Sequence, residues 1–263
     1  MGKEKILITG ITRGIGRSLA LHLSQAGYDV TGTHQSFEVV EDKIDGVAYI
    51  PLDLENNESI SSCIRQAGEV DILINNAGGS QIGPLEETDQ RKIEDFFLVN
   101  LFGPIKMIRA VLPQMRKKRK GLIINIGSLA AKFSPPYQSL YSAAKSALAG
   151  MSWSLRHEVK NFGIRVVVLE PKDIRTSIQP ETISTANEDY QAALSKFISI
   201  REVNMARAPE PDIVAKKVKK IIESKKSSPF YTVGGLGPFQ VFLKRLLPNK
   251  IVEKMVRNHY KLK

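Results

Sequence analysis

The chain has 263 residues, 42% of them hydrophobic, which is enough to bury a full core, and its single cysteine, Cys63, excludes an intrachain disulfide. The opening "MGKEKILITG" carries too short an apolar run for a signal peptide, and no stretch approaches the ~18 uncharged apolar residues of a membrane span, so a soluble cytoplasmic protein is expected. The net charge of +11 is gathered in "MRKKRKG", in "AKKVKKIIESKK" and in the last twenty residues, without zinc-finger spacing, a basic heptad helix or an aromatic-basic strand. This disfavours nucleic acid as a partner and leaves a solvated or membrane-facing surface.

Taken in chain order, "KILITG" reads as a strand that runs straight into "TGITRGIG", Thr9 to Gly16, and then into the helical "GIGRSLALHLSQAG". Glycines between a first strand and a first helix let the backbone come close to a pyrophosphate, whose charge the helix N-terminus meets. The spacing is G-x-x-x-G-x-G, which differs from the common G-x-G-x-x-G. "DVTGTH" and "VAYIPLD" follow as strands, then the helix "ESISSCIRQAG" and the strand "DILINNAG", which ends in Asn75 to Gly78. One long helix is expected from about Asp89 to Lys118. The strand "GLIINIGS" then leaves Ser128 at its carboxyl end.

The next helix, "SLYSAAKSALAGMSWSLRHEVKNFG", places Tyr141 and Lys145 four residues apart, hence on one face. A surface lysine over a half-buried tyrosine would explain an isolated pair. A catalytic reading is also open: a phenol titrates near ~10, and a cation within roughly 4 to 6 Å lowers that by ~1 to 3 units. After the strand "IRVVVLEP", residues 172–208 form a long polar stretch in which "ISTANEDYQAALSKF" is expected to make a short helix or two. The helix "EPDIVAKKVKKIIESKK", the strand "FYTVGG" and two short amphipathic helices in 236–263 complete the chain.

Strands this apolar, without polar alternation, are covered on both faces. The alternation of strands and helices therefore predicts an α/β protein, a Rossmann-type doubly wound, mainly parallel seven-stranded sheet in a single domain spanning 1–263. Ligands in such sheets bind beyond the carboxyl ends of the strands, where Ser128, Tyr141 and Lys145 converge. His22, His34, His157 and His259 have no metal-ligand spacing, so no metal is expected.

In this order and spacing, "TGITRGIG", "LDL", "NNAG", "VNLFG", "INIGS", "YSAAK" and "EPKDIRT" resemble the short-chain dehydrogenase/reductase superfamily in its short single-domain form. "IGPLEET", "SLRHEVKNFGIRVVVLEP" and "FLKRLLPNK" are most similar to its 17β-hydroxysteroid-dehydrogenase-like branch. The resemblance implies an oxidoreductase that interconverts an alcohol and a ketone or aldehyde on a lipophilic molecule such as a steroid, retinoid or lipid. It implies Asn100, Ser128, Tyr141 and Lys145 as the catalytic tetrad, with Tyr141 as acid/base, its pKa lowered by Lys145. A nicotinamide cofactor would be held by Gly10, Thr12, Arg13, Gly14, Ile15, Gly16, His34, Asp53, Leu54, Asn76, Ala77, Gly78, Tyr141, Lys145, Pro171 and Thr176. Asp53 is expected at the adenine and Asn76 on the nicotinamide side.

No acid ends the second strand, where His34 and Gln35 stand, and Arg13 offers a base, so NADP is preferred with NAD as the alternative. Relatives carry Pro-Gly where this chain has Pro171-Lys172. Lys172 could hinder a nicotinamide or greet an anionic substrate group, and a nucleotide-sensing or interaction protein of low activity is the alternative function. The resemblance further implies a homodimer or homotetramer, and the basic tail permits peripheral membrane contact.

Overall fold

The computed structural model describes residues 3–35 and 40–262, so Lys263, counted in the expected C-terminal extension, lies outside the described residues. The elements are β1 (Lys5–Ile8), α1 (Gly14–Gln25), β2 (Asp29–His34), β3 (Val47–Pro51), α2 (Asn57–Ala67), β4 (Ile72–Asn75), β5 (Gln81–Ile82), α3 (Gln90–Phe97), α4 (Gly103–Lys118), β6 (Gly121–Ile126), α5 (Ala130–Phe133), α6 (Ser139–Val159), β7 (Ile164–Pro171), β8 (Glu181–Thr182), α7 (Glu188–Ala206), α8 (Asp212–Glu223), β9 (Phe230–Val233), α9 (Gly237–Lys244) and α10 (Asn249–His259). Seven strands form one parallel sheet in the order β3-β2-β1-β4-β6-β7-β9. The strand order reverses direction between β1 and β4, and the switch point of such a sheet is where a crevice opens.

Successive side chains of a strand face opposite ways, and both faces here are apolar. In β1, Ile6 and Ile8 join α1 and α8 on one side through Leu19, Leu23, Val214 and Val218. Leu7 joins the other side, where Met107, Val111 and Met115 of α4 and Leu155 of α6 pack. Cys63 of α2 is sealed in this second layer, and burial pushes its thiol up to about 11. Helix starts are fixed locally: Asn56 accepts hydrogen bonds from the Glu58 and Ser59 N–H groups at 2.8 and 3.0 Å, and Asp89 accepts one from Arg91 N–H at 2.8 Å.

Four features depart from expectation. The single helix expected from about 89 to 118 is interrupted at Leu98–Phe102 by a π turn, one residue wider than an α turn. The run Gln90–Lys118 is also long and apolar enough to cross a membrane by length and composition, although no such stretch was expected. Its apolar side is engaged in the second core layer. The stretch 172–208 carries, in place of a short helix or two, the 19-residue α7, which fills about half of it. The two-residue strands β5 and β8 pair in parallel as a separate ribbon, which has no counterpart in the sequence pattern.

Above the carboxyl edge of the sheet, Ile82 of β5 and Leu194 and Phe197 of α7 form a third buried cluster, against which Tyr137 and Tyr260 pack. The Phe197 ring lies 5.8 Å from that of Tyr137 and 4.7 Å from that of Tyr260. This small core ties α7 and the end of α10 over the cleft.

Candidate active site

The glycine segment leaves β1 at the centre of the sheet and enters α1. Gly10 holds φ +70°, a left-handed conformation, and a Cβ on Gly16 would stand 1.9 Å from the Gly10 carbonyl oxygen. No side chain caps the α1 N-terminus, so its first-turn N–H groups keep their hydrogen-bonding capacity for an anion. The segment is locked from behind by β4. Asn76 Nδ2 donates to the carbonyls of Thr9 (3.0 Å) and Gly10 (2.8 Å), and Thr9 Oγ1 accepts from the N–H groups of Asn76 and Ala77, both at 3.0 Å. Asn76 borders the cleft as expected, yet its amide is spent on the glycine segment.

A cleft of about 890 Å³ opens over this cradle. Thr12, Arg13, Ile15, His34, Asp53, Leu54, Ala77, Gly78, Pro171 and Thr176 line it, together with Ser128, Tyr141 and Lys145. Gly14 stands behind the wall, where the Thr176 side chain lies 3.2 Å from the position its Cβ would take. Arg13 is exposed and makes no ion pair among the described residues, whereas Arg17, one turn on, is held by Asp42 at 2.6 Å. At the end of β2, His34 Nδ1 lies 2.8 Å from the Gln35 carbonyl. Asp53 turns back on its own loop and accepts from the Glu55 N–H at 2.9 Å.

Ser128 follows β6, and α6 returns Tyr141 and Lys145 to the same edge, where the Ser128 hydroxyl hydrogen-bonds the phenol. Lys145 is buried, sits 5.8 Å from the Tyr141 ring centroid and donates from Nζ to the Ile126 carbonyl at 3.1 Å. Burial lowers its ammonium to about 8. The phenol shifts the opposite way from expectation. Burial raises Tyr141 above its ordinary value; Ser128 and the Arg201 guanidinium pull it down and Asp173 pushes it up. Burial of the phenol outweighs the groups that pull it down, and the Lys145 head is turned to a carbonyl.

Asn100 sits on the π turn, fully buried, donating to the Phe96 carbonyl at 3.0 Å and accepting from the Gly79 N–H at 3.2 Å. A Cβ on Gly78 would be 2.7 Å from Asn100 Oδ1, so glycine is what lets Asn100 approach this closely, while Lys145 Nζ, 3.6 Å from that position, is at ordinary contact distance. The wider turn aims Asn100 inward, and the "VNLFG" motif gives no hint of it.

Lys172 is accommodated without strain. Its N–H donates to the Val233 carbonyl at 2.8 Å, and its Cβ lies against Gly234 and Gly237, 3.4 Å from where a Cβ of either would stand. The two glycines after β9 thus meet the Lys172 side chain at ordinary contact distance. The sequence also hides Asp173, Arg201 and His259, which reach the cleft from the β7 loop, α7 and α10. Glu170 is a further hidden group. It is completely buried and paired with Lys132 at 2.9 Å, tying β7 to the segment after Ser128. Burial raises its carboxyl, and Lys132 and Arg245 oppose this. Glu170 opens the "EPKDIRT" motif, but its partner Lys132 belongs to none, because the pairing depends on α5.

Fold and cleft define a doubly wound α/β protein whose strand edge joins an anion cradle to a serine, a phenol and an ammonium group. The family model "short chain dehydrogenase" matches residues 4–187. A 3-ketodihydrosphingosine reductase of Bacteroides thetaiotaomicron is 33% identical, with all of both chains covered. The crystal structure of a short-chain dehydrogenase from Streptomyces avermitilis shares 31% identity and a TM-score of 0.82, covering 94% of each chain. One from Burkholderia cenocepacia, in complex with NADP, has the same fold at 21% identity, with a TM-score of 0.77 and 97% of each chain covered. The chain belongs to the short-chain dehydrogenase family and is an oxidoreductase.

Proposed function

We propose that the protein reduces a ketone or aldehyde on a lipophilic small molecule to the alcohol, reversibly, with NADPH preferred over NADH. The observation that carries this reading is the convergence of Ser128, Tyr141 and Lys145 on the same cleft as the glycine cradle. The cradle fits a dinucleotide: a side chain at Gly16 would fill the space a pyrophosphate approaches, and the uncapped helix end meets its charge. Gly10, Thr12, Ile15 and Gly16 would hold the pyrophosphate, with Gly14 behind them against Thr176. Arg13 and His34 would lie toward the adenosine ribose, Asp53 and Leu54 toward adenine, and Ala77, Gly78, Pro171 and Thr176 toward the nicotinamide. The exposed Arg13, which makes no ion pair among the described residues, favours a 2′-phosphate.

When bound, the nicotinamide supplies or accepts the hydride. Ser128 donates its O–H to the substrate oxygen, where negative charge grows. Tyr141 gives that oxygen its phenolic proton on reduction and takes it back on oxidation. A phenol held above its ordinary pKa is protonated at neutral pH, which suits the reductive direction. Lys145 tethers the end of β6 through Ile126, 5.8 Å from the centre of the phenol ring. Asn100 holds the backbone of Gly79, and thereby the wall at Gly78, in place.

The substrate's apolar part would lie between 172–208 and 236–262, where Phe197, Leu243, Leu247 and Val252 line the cleft. The name of the Bacteroides relative, a ketodihydrosphingosine reductase, concerns a long-chain amino ketone, and a mostly hydrocarbon ligand of that kind fits these walls. A homodimer or homotetramer would use the outer faces of α4 and α6, near the exposed Phe102 and Trp153.

Calorimetric titration with NADPH and NADH, followed by turnover on 3-ketodihydrosphingosine and on a panel of other lipophilic ketones, tests the reading. NADPH should bind at least roughly tenfold tighter than NADH, and one of the ketones should be reduced at ~1 s⁻¹ or more. Tyr141→Phe should lower kcat by ~10²- to 10⁴-fold with NADPH affinity nearly unchanged. Full turnover by that variant, or binding of neither nucleotide, would sink the proposal.

A further inference from the structure

The last two helices present different faces to different surroundings. On and just after α9, Gln240, Leu243 and Leu247 line the cleft, while Phe239, Phe242 and Leu246 are 60%, 58% and 66% exposed. Both sets recur at three-and-four spacing, so each forms its own stripe. Leu236, 68% exposed, stands just before the outer stripe. On α10, Val252 and Val256 line the cleft, and Ile251 and Met255 are exposed. Met255 does both, which places it on the rim of the cleft mouth.

A single exposed leucine calls for no explanation, but six large apolar side chains exposed between 236 and 255 do. The polar positions around them are strongly one-signed. From 236 to 262 they carry Lys244, Arg245, Lys250, Lys254, Arg257 and Lys261 against one acid, Glu253. Packed on a second copy across a two-fold axis, this surface would set cation against cation. Anionic headgroups over an acyl layer complement it in both charge and polarity.

We propose that α9 and α10 dock the protein on an anionic membrane surface, with Phe239, Phe242 and Leu246 inserted at the headgroup boundary and the cleft mouth turned to the bilayer. The docking stands on the surface itself. Its use, passing a lipophilic substrate from the bilayer into the cleft without crossing water, rests on the function proposed above.

Flotation of the full chain with mixed phosphatidylcholine and phosphatidylserine vesicles, against phosphatidylcholine alone, tests it. The protein should partition onto the mixed vesicles at least roughly tenfold better, and less so as salt rises. The triple variant Phe239→Ser/Phe242→Ser/Leu246→Ser and the triple variant Lys250→Glu/Lys254→Glu/Arg257→Glu should each lose roughly tenfold or more of that partitioning. NADPH affinity and the thermal midpoint should not move, because these side chains are exposed. Wild-type protein that stays off the mixed vesicles overturns the proposal, as do variants that float like wild type. So does an apolar variant that turns monomeric while keeping its vesicle binding, which would assign the stripe to self-association. If NADPH fails to bind at all, the thermal midpoint alone serves as the folding control and flotation still reads docking, so the two proposals fail separately.

Discussion

The two ends of the cleft are held by different means. The cradle end, residues 9–16 and 75–78, hangs on β1 and β4 at the centre of the sheet, where backbone meets backbone and Asn76 stitches the two together. At the substrate end, α9 rests on β9, but α7 and the end of α10 are joined over the cleft by a small cluster whose buried side chains, among the described residues, are Ile82, Leu194 and Phe197. The first end has no room to vary. The second can change its lining without disturbing the sheet, and regions with few buried contacts are also those that open most readily. A family that keeps one reaction and changes substrates needs that division.

The contrast can be broken at several points. The largest effect is expected at Phe197→Ala, which empties the middle of the small core. Deleting a fully buried aromatic costs about 3–5 kcal/mol. If the ends are independent, this variant loses substrate affinity and protects α7 amides less in hydrogen exchange, while NADPH affinity stays within about twofold. A parallel collapse of NADPH binding would show that the ends are one unit.

Next comes the pH dependence of the buried lysine. Lys145 titrates at about 8 in the fold against 10.5 when unperturbed. Between those values the unfolded chain carries a proton that the folded chain lacks, so stability rises with pH across that window and falls as pH drops through 8. Without nucleotide, wild type should therefore gain about 3 kcal/mol on Lys145→Met between pH 7 and pH 10.5, read from denaturant unfolding. A pH-independent difference would mean the ammonium is well solvated.

At the cradle, Gly16→Ala forces a methyl group against the Gly10 carbonyl and should cost about 1–3 kcal/mol of stability together with most nucleotide binding. Unchanged calorimetric affinity would remove the cradle from the site. The smallest effect is expected at Arg13→Ser. The side chain is exposed, so stability should hold, while NADPH affinity falls by roughly tenfold and NADH affinity stays put.

The same contrast explains how much could be read from the sequence. The cradle and the Ser128, Tyr141 and Lys145 edge are legible because each demands particular residues at fixed spacing on elements of strong periodicity. The seven strands are legible because both sheet faces are buried, which makes each strand a continuous apolar run. The full length of α7 is not, since only Leu194 and Phe197 along its nineteen residues are buried and no apolar stripe marks it. The β5–β8 ribbon is too short to leave a period. The direction of the Tyr141 shift escaped for another reason: spacing puts Lys145 near the phenol but says nothing of the desolvation both groups undergo. Lys172 left two readings open, hindrance or an anion contact, because the neighbours of its Cβ, Gly234 and Gly237, come sixty residues later on another strand's exit.

Cys63 has a practical consequence. It is the chain's single thiol, sealed under α4 and raised to about 11, so at neutral pH roughly one molecule in ten thousand carries the reactive thiolate even before access is considered. Disulfide reagents should therefore leave the native protein unlabelled until α2 lifts from the sheet. The labelling rate then becomes a clock for that opening, one that needs no added probe. Nucleotide should slow it if the cradle and the second core layer open together.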